Sequence, residues 1–450
     1  MDDVNPVPHN PSSTQPAMLI VGGTGEMGQW FTRFFGDRGY RVSVWGFSKR
    51  IDVAKRMGVE FAHDLEQAVG QADIVVISVT IDQTVEMIKR IALHMKTGSL
   101  LMDLTSIKEA PLAAMNEYAP KGVEVIGTHP MFGPSIPDIR GQTVILTPPD
   151  KQCTRWYPVI HDVFDKAGAH IEVISAKEHD RIMAVVQGLT HFAYIAIGST
   201  FKELEFDVAK SRRFMSPVYE IMVDFVGRIL GQNPYLYAMI QVNNRDVEHV
   251  HKTFIQECEK ISAVVKGDDI SAFVDLMKDA ATHFGNTESA LRRSDKLINN
   301  KISEFEKLAS LIGSTAGFVH LYTGMVHIGV LKKLSPVDIV LGNGKKDVSL
   351  KLENIKLMTD AELRQWKAEN IALRMRDVSA FIPNGAKPEV ICSVIECVDD
   401  VVSVELLDVY ERDGDTSITV RLGIMGDADV EIVMVSVWAM LEGVGCKVRV

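Results

Sequence analysis

The chain has 450 residues, 46% of them hydrophobic and 24% charged, so it is long enough for two to four globular domains. Its net charge of −11 argues against nonspecific nucleic-acid binding, because phosphate contact needs clustered Lys and Arg. The five cysteines are scattered and form no Cys-x-x-Cys pair, which indicates neither a disulfide framework nor a zinc or other metal site.

Two stretches of the chain bear on whether it carries a signal peptide or a membrane-spanning segment: the polar N-terminus and one apolar stretch further along. Residues 1–17 are rich in Pro, Asn and Ser and lack the basic start and apolar centre of a signal peptide, so we expect a disordered tail. The most apolar later stretch, 188–201, is shorter than a membrane span and is interrupted by polar residues. We therefore expect a cytoplasmic protein with no membrane segment.

A glycine-rich turn follows the first apolar run of the chain, residues 18–21, and large apolar side chains then recur at helical spacing. The turn reads Gly23-Thr24-Gly25-Glu26-Met27-Gly28. In a dinucleotide site Gly23 would serve the tight turn, Gly25 would let the backbone approach a pyrophosphate, and Gly28 would allow close helix packing. The pattern predicts strand, turn and helix with NAD or NADP at the turn.

The second predicted strand, 40–45, bears on the choice of cofactor. An NAD site would be expected to place Asp or Glu after it, whereas here Ser48, Lys49 and Arg50 follow. These residues could hold the 2′-phosphate of NADP, or Lys49 and Arg50 could simply be solvated at the start of a helix. Both cofactors stay open, with a slight preference for NADP.

Three further apolar runs, 72–79, 98–103 and 123–126, alternate with helical patterns and predict a parallel, doubly wound sheet. Ligands in such sheets lie beyond the carboxyl ends of the strands. That edge would bring together Thr80, the segment 104–108 and His129. Set among glycines and prolines, His129 is the first candidate for chemistry, although a lone histidine in a turn more often has a purely structural role.

From Glu178 onward, long apolar-periodic segments predict a helical domain, 181–332, after a Rossmann domain, 18–180. His191 lies in one apolar segment and is by default a core histidine. Arg228 is flanked by apolar residues on both sides, and a buried guanidinium needs an anionic partner. That partner is either a structural carboxylate or one carried by a substrate.

The C-terminal part changes pattern again. Residues 333–372 predict a hairpin around Asn343-Gly344 and a charged helical connector. Residues 373–450 read strand, helix, two strands, helix and strand, the ferredoxin-like arrangement. The predicted fold class is therefore α/β, with an N-terminal Rossmann domain, an all-α domain and a C-terminal ferredoxin-like α+β domain.

Motifs between residues 18 and 242 resemble, in the family's order, the prephenate dehydrogenases of tyrosine biosynthesis. The most specific are His129-Pro130-Met131-Phe132-Gly133-Pro134 and Gln187-Gly188-Leu189-Thr190-His191-Phe192, which stand with the segments 103–108, 178–180 and 227–228. The resemblance implies a homodimer that oxidises prephenate at its ring carbinol, passes a hydride to the nicotinamide and releases carbon dioxide, which leaves 4-hydroxyphenylpyruvate.

The resemblance also implies roles for single residues. His129 polarises or deprotonates the ring hydroxyl, Ser106 hydrogen-bonds to it, and Arg228 binds a substrate carboxylate, for which its planar fork is suited. His191 looks like a substrate contact. Lys108 is a weaker candidate for substrate binding and is equally well read as a surface lysine.

Several alternatives remain beside this reading. Arogenate is the same-class alternative substrate. A β-hydroxyacid dehydrogenase shares the glycine turn but should use a catalytic lysine in the helical domain, and a non-catalytic NAD(P)-sensing regulator needs no catalytic set. The C-terminal module is similar to ACT modules and to the anticodon-binding domain of phenylalanyl-tRNA synthetases, so tyrosine as an effector and plain oligomerisation are both open.

Overall fold

The computed structural model describes residues 15–149, 153–342, 346–412 and 415–449. The chain forms two compact units, residues 1–287 and 288–450. Most of the predicted N-terminal tail lies outside the described residues.

An eight-stranded sheet organises the first part of unit one. Its strands are Ala17–Val21 (β1), Arg41–Trp45 (β2), Glu60–Phe61 (β3), Ile74–Ile77 (β4), Leu100–Asp103 (β5), Glu124–Pro130 (β6), Thr143–Thr147 (β7) and His170–Val173 (β8). They lie in the order β3-β2-β1-β4-β5-β6-β7-β8, and neighbours are parallel except for the antiparallel pair β6 and β7. The predicted Rossmann sheet is confirmed, with one antiparallel pair that apolar runs alone do not reveal.

Helices cover both faces of this sheet. They are Glu26–Gly36 (α1), Ile51–Met57 (α2), Leu65–Gln71 (α3), Ile81–Ile91 (α4), Glu109–Tyr118 (α5) and Trp156–Lys166 (α6). Because side chains alternate along a strand, Met18 and Ile20 enter the core shared with α1 and α6, whereas Leu19 and Val21 enter the opposite core with α3, α4 and α5. Because β1, β4, β5 and β6 are parallel neighbours, their carboxyl ends meet at one edge of the sheet.

The rest of unit one is helical. Its helices are Ala176–Met183 (α7), Thr190–Glu203 (α8), Val208–Ser211 (α9), Pro217–Leu230 (α10), Pro234–Asn243 (α11), Val247–Lys266 (α12) and Ile270–Phe284 (α13). A π-helical turn, Ala184–Leu189, joins α7 to α8 without a break. The starts of α10 and α11 follow sequence rules, since Ser216 and Asn233 accept backbone N–H bonds and a proline follows each.

The continuous helix Ala176–Glu203 differs from expectation. By length and composition it is apolar enough to cross a membrane, and 17% of its most apolar window is buried. The helix is longer than the expected apolar stretch, 188–201, because it begins at Ala176 and the π-helical turn continues it through Gly188. Apolar side chains that are exposed on this helix favour contact with another apolar surface.

Unit two begins with the long helix Thr287–Ser310 (α14), whose first residue still belongs to unit one. Then follow Thr315–His320 (β9), Val326–Leu334 (β10), Asp338–Gly342 (β11), Asp347–Lys351 (β12) and Ile355–Leu357 (β13), which form an antiparallel sheet in the order β12-β11-β10-β9-β13. The prediction of helix up to residue 332 was therefore wrong for β9 and most of β10. Strands β11 and β12 pair as the predicted hairpin, whose Asn343-Gly344 turn lies outside the described residues.

The charged helix Asp360–Asn370 (α15) precedes the last domain. Its elements are Arg374–Ile382 (β14), Pro388–Ile395 (α16), Val401–Arg412 (β15), Asp415–Ile424 (β16), Val430–Gly443 (α17) and Lys447–Arg449 (β17). The sheet order β15-β16-β14-β17, with antiparallel neighbours, is that of the ferredoxin-like fold, which confirms the prediction. The turn residues 413 and 414 lie outside the described part of the chain.

Candidate active site

The glycine turn between β1 and α1 is shaped by three glycines that lie very close to their neighbours. Gly22 has φ +90°, and a Cβ on it would lie 2.2 Å from the Ser78 carbonyl oxygen. The residue that the tight turn requires is therefore Gly22, not Gly23 as predicted; Gly23 instead lies against Val44, whose Cγ1 a Cβ would meet at 2.5 Å. Gly28 packs on this turn, since its Cβ would lie 2.3 Å from the Gly22 carbonyl oxygen.

Gly25 is the point of the turn that is open to a ligand. A Cβ there would meet a single neighbouring atom, the Gly22 carbonyl oxygen, at 3.3 Å. Gly25 is also the N-cap of α1 and supplies no side-chain cap, so backbone N–H groups of the first turn remain free for an anion. Thr24 is buried beneath, Glu26 is exposed and Met27 is half-buried. These residues fit the pyrophosphate of a dinucleotide.

The other predicted cofactor contacts lie at the surface. Ser48, Lys49 and Arg50 are exposed in the segment after β2, and Lys49 has φ +47°. Arg50 Nη1 lies 3.5 Å from the Thr24 carbonyl oxygen, so this guanidinium reaches the glycine turn. Thr80 is exposed at the N-cap of α4. Of the two basic side chains, that of Arg50 reaches the turn, and within the described part of the chain no ion pair is formed by Lys49 or Arg50.

His129 lies inside β6, opposite Ile145 of β7, and is 2% exposed. It was expected in a turn after the strand, but pairing with β7 extends β6 to Pro130. Its Nδ1 is 2.8 Å from His179 Nε2, and its Nε2 is 3.4 Å from Gln187 Nε2. Both neighbours come from the long helix, so the helical segment closes over the histidine at the end of the sheet.

Asp180 anchors the far end of this chain of hydrogen bonds. Its Oδ1 is 2.7 Å from His179 Nδ1 and also accepts from the Lys108 backbone N–H at 2.7 Å. Its Oδ2 accepts from the Glu109 backbone N–H at 2.9 Å. The Asn244 side chain in turn donates to the Asp180 carbonyl oxygen. The start of α5 therefore fixes the carboxylate, and the carboxylate fixes His179.

Burial keeps both histidines neutral. Burial lowers the pKa of His129 well below 6.5, and the nearby His179 and Lys108 lower it further. Burial also lowers the pKa of His179, although the hydrogen bond to Asp180 opposes that shift. A neutral imidazole at pH 7 can accept a proton, which is what removal of a hydroxyl proton needs.

Lys108 is entirely buried beneath His129. Its ammonium forms an ion pair with Asp103, donates to the Thr128 carbonyl oxygen at 2.8 Å and to Thr105 Oγ1 at 3.3 Å. Burial lowers the pKa of Lys108, and the charge of Asp103 opposes that shift. The structure thus contradicts both the surface reading and the predicted substrate contact, because every donor of the ammonium faces the protein.

His191 and Arg228 form a second group. His191 follows Gln187 by four residues on the same helix, and its ring lies 4.4 Å from that of Tyr237 in an edge contact. Burial lowers the pKa of His191 to about 4. Burial raises the pKa of Tyr237, and the positive charge of Arg228 opposes the rise, which places the guanidinium near that phenol. Arg228 itself is exposed, so the prediction of a buried arginine was wrong.

Ser106 was predicted to lie in the site, and three further residues were not. Ser106 is half-buried in the loop after β5, and among the described residues no hydrogen bond joins it to His129. Sequence reasoning did not assign roles to His179, Asp180 and Gln187, although each stands in a motif that carries the resemblance. Their signal was weak because His179 and Gln187 contact His129 across 50 or more residues of chain, and Asp180 acts through His179.

A Rossmann sheet with an open glycine turn, next to a buried neutral histidine, defines a nicotinamide-dinucleotide dehydrogenase. Family models agree with this class. Residues 31–173 match the nucleotide-binding domain of prephenate dehydrogenase, and residues 175–279 match the dimerization domain of prephenate dehydrogenase. The chain belongs to the prephenate dehydrogenase family.

Individual relatives support the same conclusion. A probable arogenate/prephenate dehydrogenase of Methanocaldococcus jannaschii is 41% identical over 418 residues, which cover 91% of this chain and 93% of that protein. The T-protein of Haemophilus influenzae is 30% identical over 62% of this chain and 71% of its own length. Prephenate dehydrogenase from Aquifex aeolicus, solved with hydroxyphenyl propionate and NAD+, shares the fold with TM-score 0.51 and 20% identity, over 60% of this chain and 98% of that one.

Proposed function

We propose that the protein is a cytoplasmic, homodimeric prephenate dehydrogenase that uses NAD or NADP to convert prephenate to 4-hydroxyphenylpyruvate. The observation that carries the proposal is the neutral, buried His129 at the same sheet edge as the glycine turn. Two further observations support it. Gln187 Oε1 and His191 Nδ1 are buried without a hydrogen-bond partner among the described residues, and such atoms favour a polar ligand.

A nicotinamide dinucleotide held at the glycine turn by Gly25 and the start of α1 would supply the acceptor for the hydride of the ring carbinol carbon. His129 Nε2 accepts the proton of the ring hydroxyl as the carbon–oxygen bond becomes a carbonyl. The ring carboxylate leaves as carbon dioxide, and its bonding pair enters the ring and moves to that oxygen. His129 then returns the proton to the phenolate oxygen. The proton count balances, so the imidazole has only to hold one proton within a turnover.

The assay that tests the proposal follows the absorbance of reduced cofactor with prephenate or arogenate and with NAD or NADP, four combinations in all. We expect turnover with prephenate. Turnover with arogenate alone would reassign the substrate, in line with the double name of the archaeal relative. A folded protein that is inactive in all four combinations would exclude the proposal, and a β-hydroxyacid substrate would then be the next assay.

The cofactor preference can be tested at Arg50. Replacing Arg50 with Ala should raise KM for NADP roughly tenfold, because a charge-assisted hydrogen bond to a phosphate contributes about 1.5 kcal/mol. KM for NAD should change less than about threefold, since NAD carries no 2′-phosphate. Arg56→Ala is the matched control, because Arg56 lies on α2 and forms a surface ion pair with Asp52. Equal effects on the two cofactors would remove the preference for NADP.

Arg228 is the proposed carboxylate-binding residue. Because it is exposed near Tyr237, Arg228→Gln should leave folding intact and raise KM for prephenate about 30-fold or more, the loss of a charged hydrogen-bonding pair. Steady-state kinetics with varied prephenate provide the measurement, and the exposed Arg213→Gln provides the control. An unchanged KM would assign the carboxylate to another cation.

The homodimer is supported by the apolar surface of the helical segment. Large apolar side chains are exposed there, in the region that matches a dimerization domain, among them Phe206, Phe214, Val218, Phe225 and Leu230, with Phe214 81% exposed. The apolar helix Ala176–Glu203 packs against α10, so we expect a second copy to cover both. A tyrosine-binding role for the ferredoxin-like domain stays a prediction.

A further inference from the structure

We infer that His179 and Asp180 are positioning residues, which hold His129 in the tautomer with a proton on Nδ1 and a free lone pair on Nε2. The tautomer is a property of the resting protein. Its consequence for catalysis rests on the proposed function, because it decides which nitrogen of His129 can take the proton of a substrate hydroxyl.

The direction of the hydrogen-bond chain is set at Asp180. Its carboxylate already accepts two backbone N–H bonds, from Lys108 and Glu109, at the start of α5. Both bonds are accepted by its carboxylate oxygens, and an ionised carboxylate has no proton to donate. The 2.7 Å contact with His179 Nδ1 is therefore an N–H bond that His179 donates.

The same logic passes along to His129. A neutral His179 with its proton on Nδ1 has a lone pair on Nε2, so it accepts from His129 Nδ1 across 2.8 Å. A neutral His129 with its proton on Nδ1 then has its lone pair on Nε2. Burial of both rings leaves little room for water to replace either partner, since His129 is 2% exposed and His179 is fully buried.

The orientation of the Gln187 amide is consistent with this tautomer at the other end. The amide nitrogen, a donor, lies 3.4 Å from His129 Nε2. A lone pair on Nε2 suits this donor, whereas a proton there would set two N–H groups against each other. The contact is long, so a substrate hydroxyl that donates a shorter bond to Nε2 can displace it.

The fixed tautomer matters because the opposite one would present N–H to the substrate hydroxyl and could not accept its proton. Once Nε2 has taken the proton, His129 is cationic inside the protein. The acceptor on its Nδ1 side is His179, which is backed by the Asp180 carboxylate, and this stabilises the cation for the time it exists. The other charged groups near the ring are Lys108, which opposes the cation, and Asp103, which neutralises Lys108.

The test compares two substitutions at one position. His179→Leu removes the acceptor for His129 Nδ1, whereas in His179→Gln the side-chain oxygen can take the place of the ring Nε2 as acceptor. We expect His179→Leu to lower kcat about 100-fold with KM for prephenate and cofactor within about threefold, as for loss of a general base's orientation. His179→Gln should keep kcat within about tenfold of the unaltered protein. A merely structural role would not separate the two.

A second measurement does not depend on the catalytic activity of any variant. Two-bond proton–nitrogen NMR spectra of protein labelled with 15N-histidine distinguish a bare nitrogen from a protonated one, and His129→Asn identifies the signal among the 13 histidines. We expect a bare Nε2 and a protonated Nδ1 for His129, and a shift toward the opposite tautomer in His179→Leu. A protonated Nε2 in the unaltered protein would overturn the inference, and so would equal kcat for Leu and Gln. An inactive unaltered protein with the expected spectrum would instead overturn the proposed function and leave the tautomer standing.

Discussion

Replacing His129 with Asn is expected to lower kcat by about 1,000-fold, the contribution of a positioned general base, while KM for prephenate stays within about threefold. Asn cannot take up a proton near neutral pH, but it keeps a side chain of similar polarity opposite His179. Steady-state kinetics over a range of prephenate concentrations separate the two effects. His170→Asn is the control, since His170 is exposed on β8 of the same sheet.

A large rise in KM with little loss of kcat would contradict the assigned role and make His129 a binding residue. The pH dependence provides a further check. Because burial lowers the pKa of His129, its neutral form persists as the pH falls below 6.5. Protonation of His129 should therefore not lower kcat near pH 6.5.

The stability of the folded protein depends on pH in a different way from kcat. Below pH 6.5 the unfolded chain takes up protons on His129, His179 and His191 that the folded chain does not. The free energy of unfolding therefore decreases as the pH decreases below 6.5.

Replacing Lys108 with Met should lower the free energy of unfolding of unit one by about 3–5 kcal/mol, because it leaves the carboxylate of Asp103 buried without its counter-charge. The Thr128 carbonyl oxygen also loses its donor. Thermal and urea unfolding measure the change. Lys121→Met, at an exposed lysine just before β6, should have an effect within about 0.5 kcal/mol.

The double variant Lys108→Met/Asp103→Leu separates charge from packing. Removing both members of a buried pair restores much of the lost stability, since no uncompensated charge remains. A double variant less stable than Lys108→Met would show that Asp103 matters mainly through its bond to Thr105. A Lys108→Met protein as stable as the unaltered one would contradict the ion pair itself.

The local patterns predicted the Rossmann strands and the ferredoxin-like domain because each rests on burial that recurs at short range. Met18–Val21 and 74–77 are buried along their whole length, and continuous apolar runs of this kind are typical of central parallel strands. The strands β9 and β10 were missed, since buried and exposed residues alternate only weakly along them. The antiparallel direction of β7 was not predicted either, because the side-chain pattern does not encode the direction of a strand.

The sequence by itself determined part of the candidate site. The glycine turn, His129, His191 and the family to which the chain belongs follow from residue types at fixed short spacings, whose chemistry is local. Only the tertiary structure decided what surrounds them. The structure places Lys108 in a buried ion pair and Arg228 at the surface, because the burial of a residue depends on neighbours that other elements supply. His179 and Asp180 became partners of His129 because the helix that follows the sheet folds back over β6, a contact made in three dimensions across 50 residues of chain.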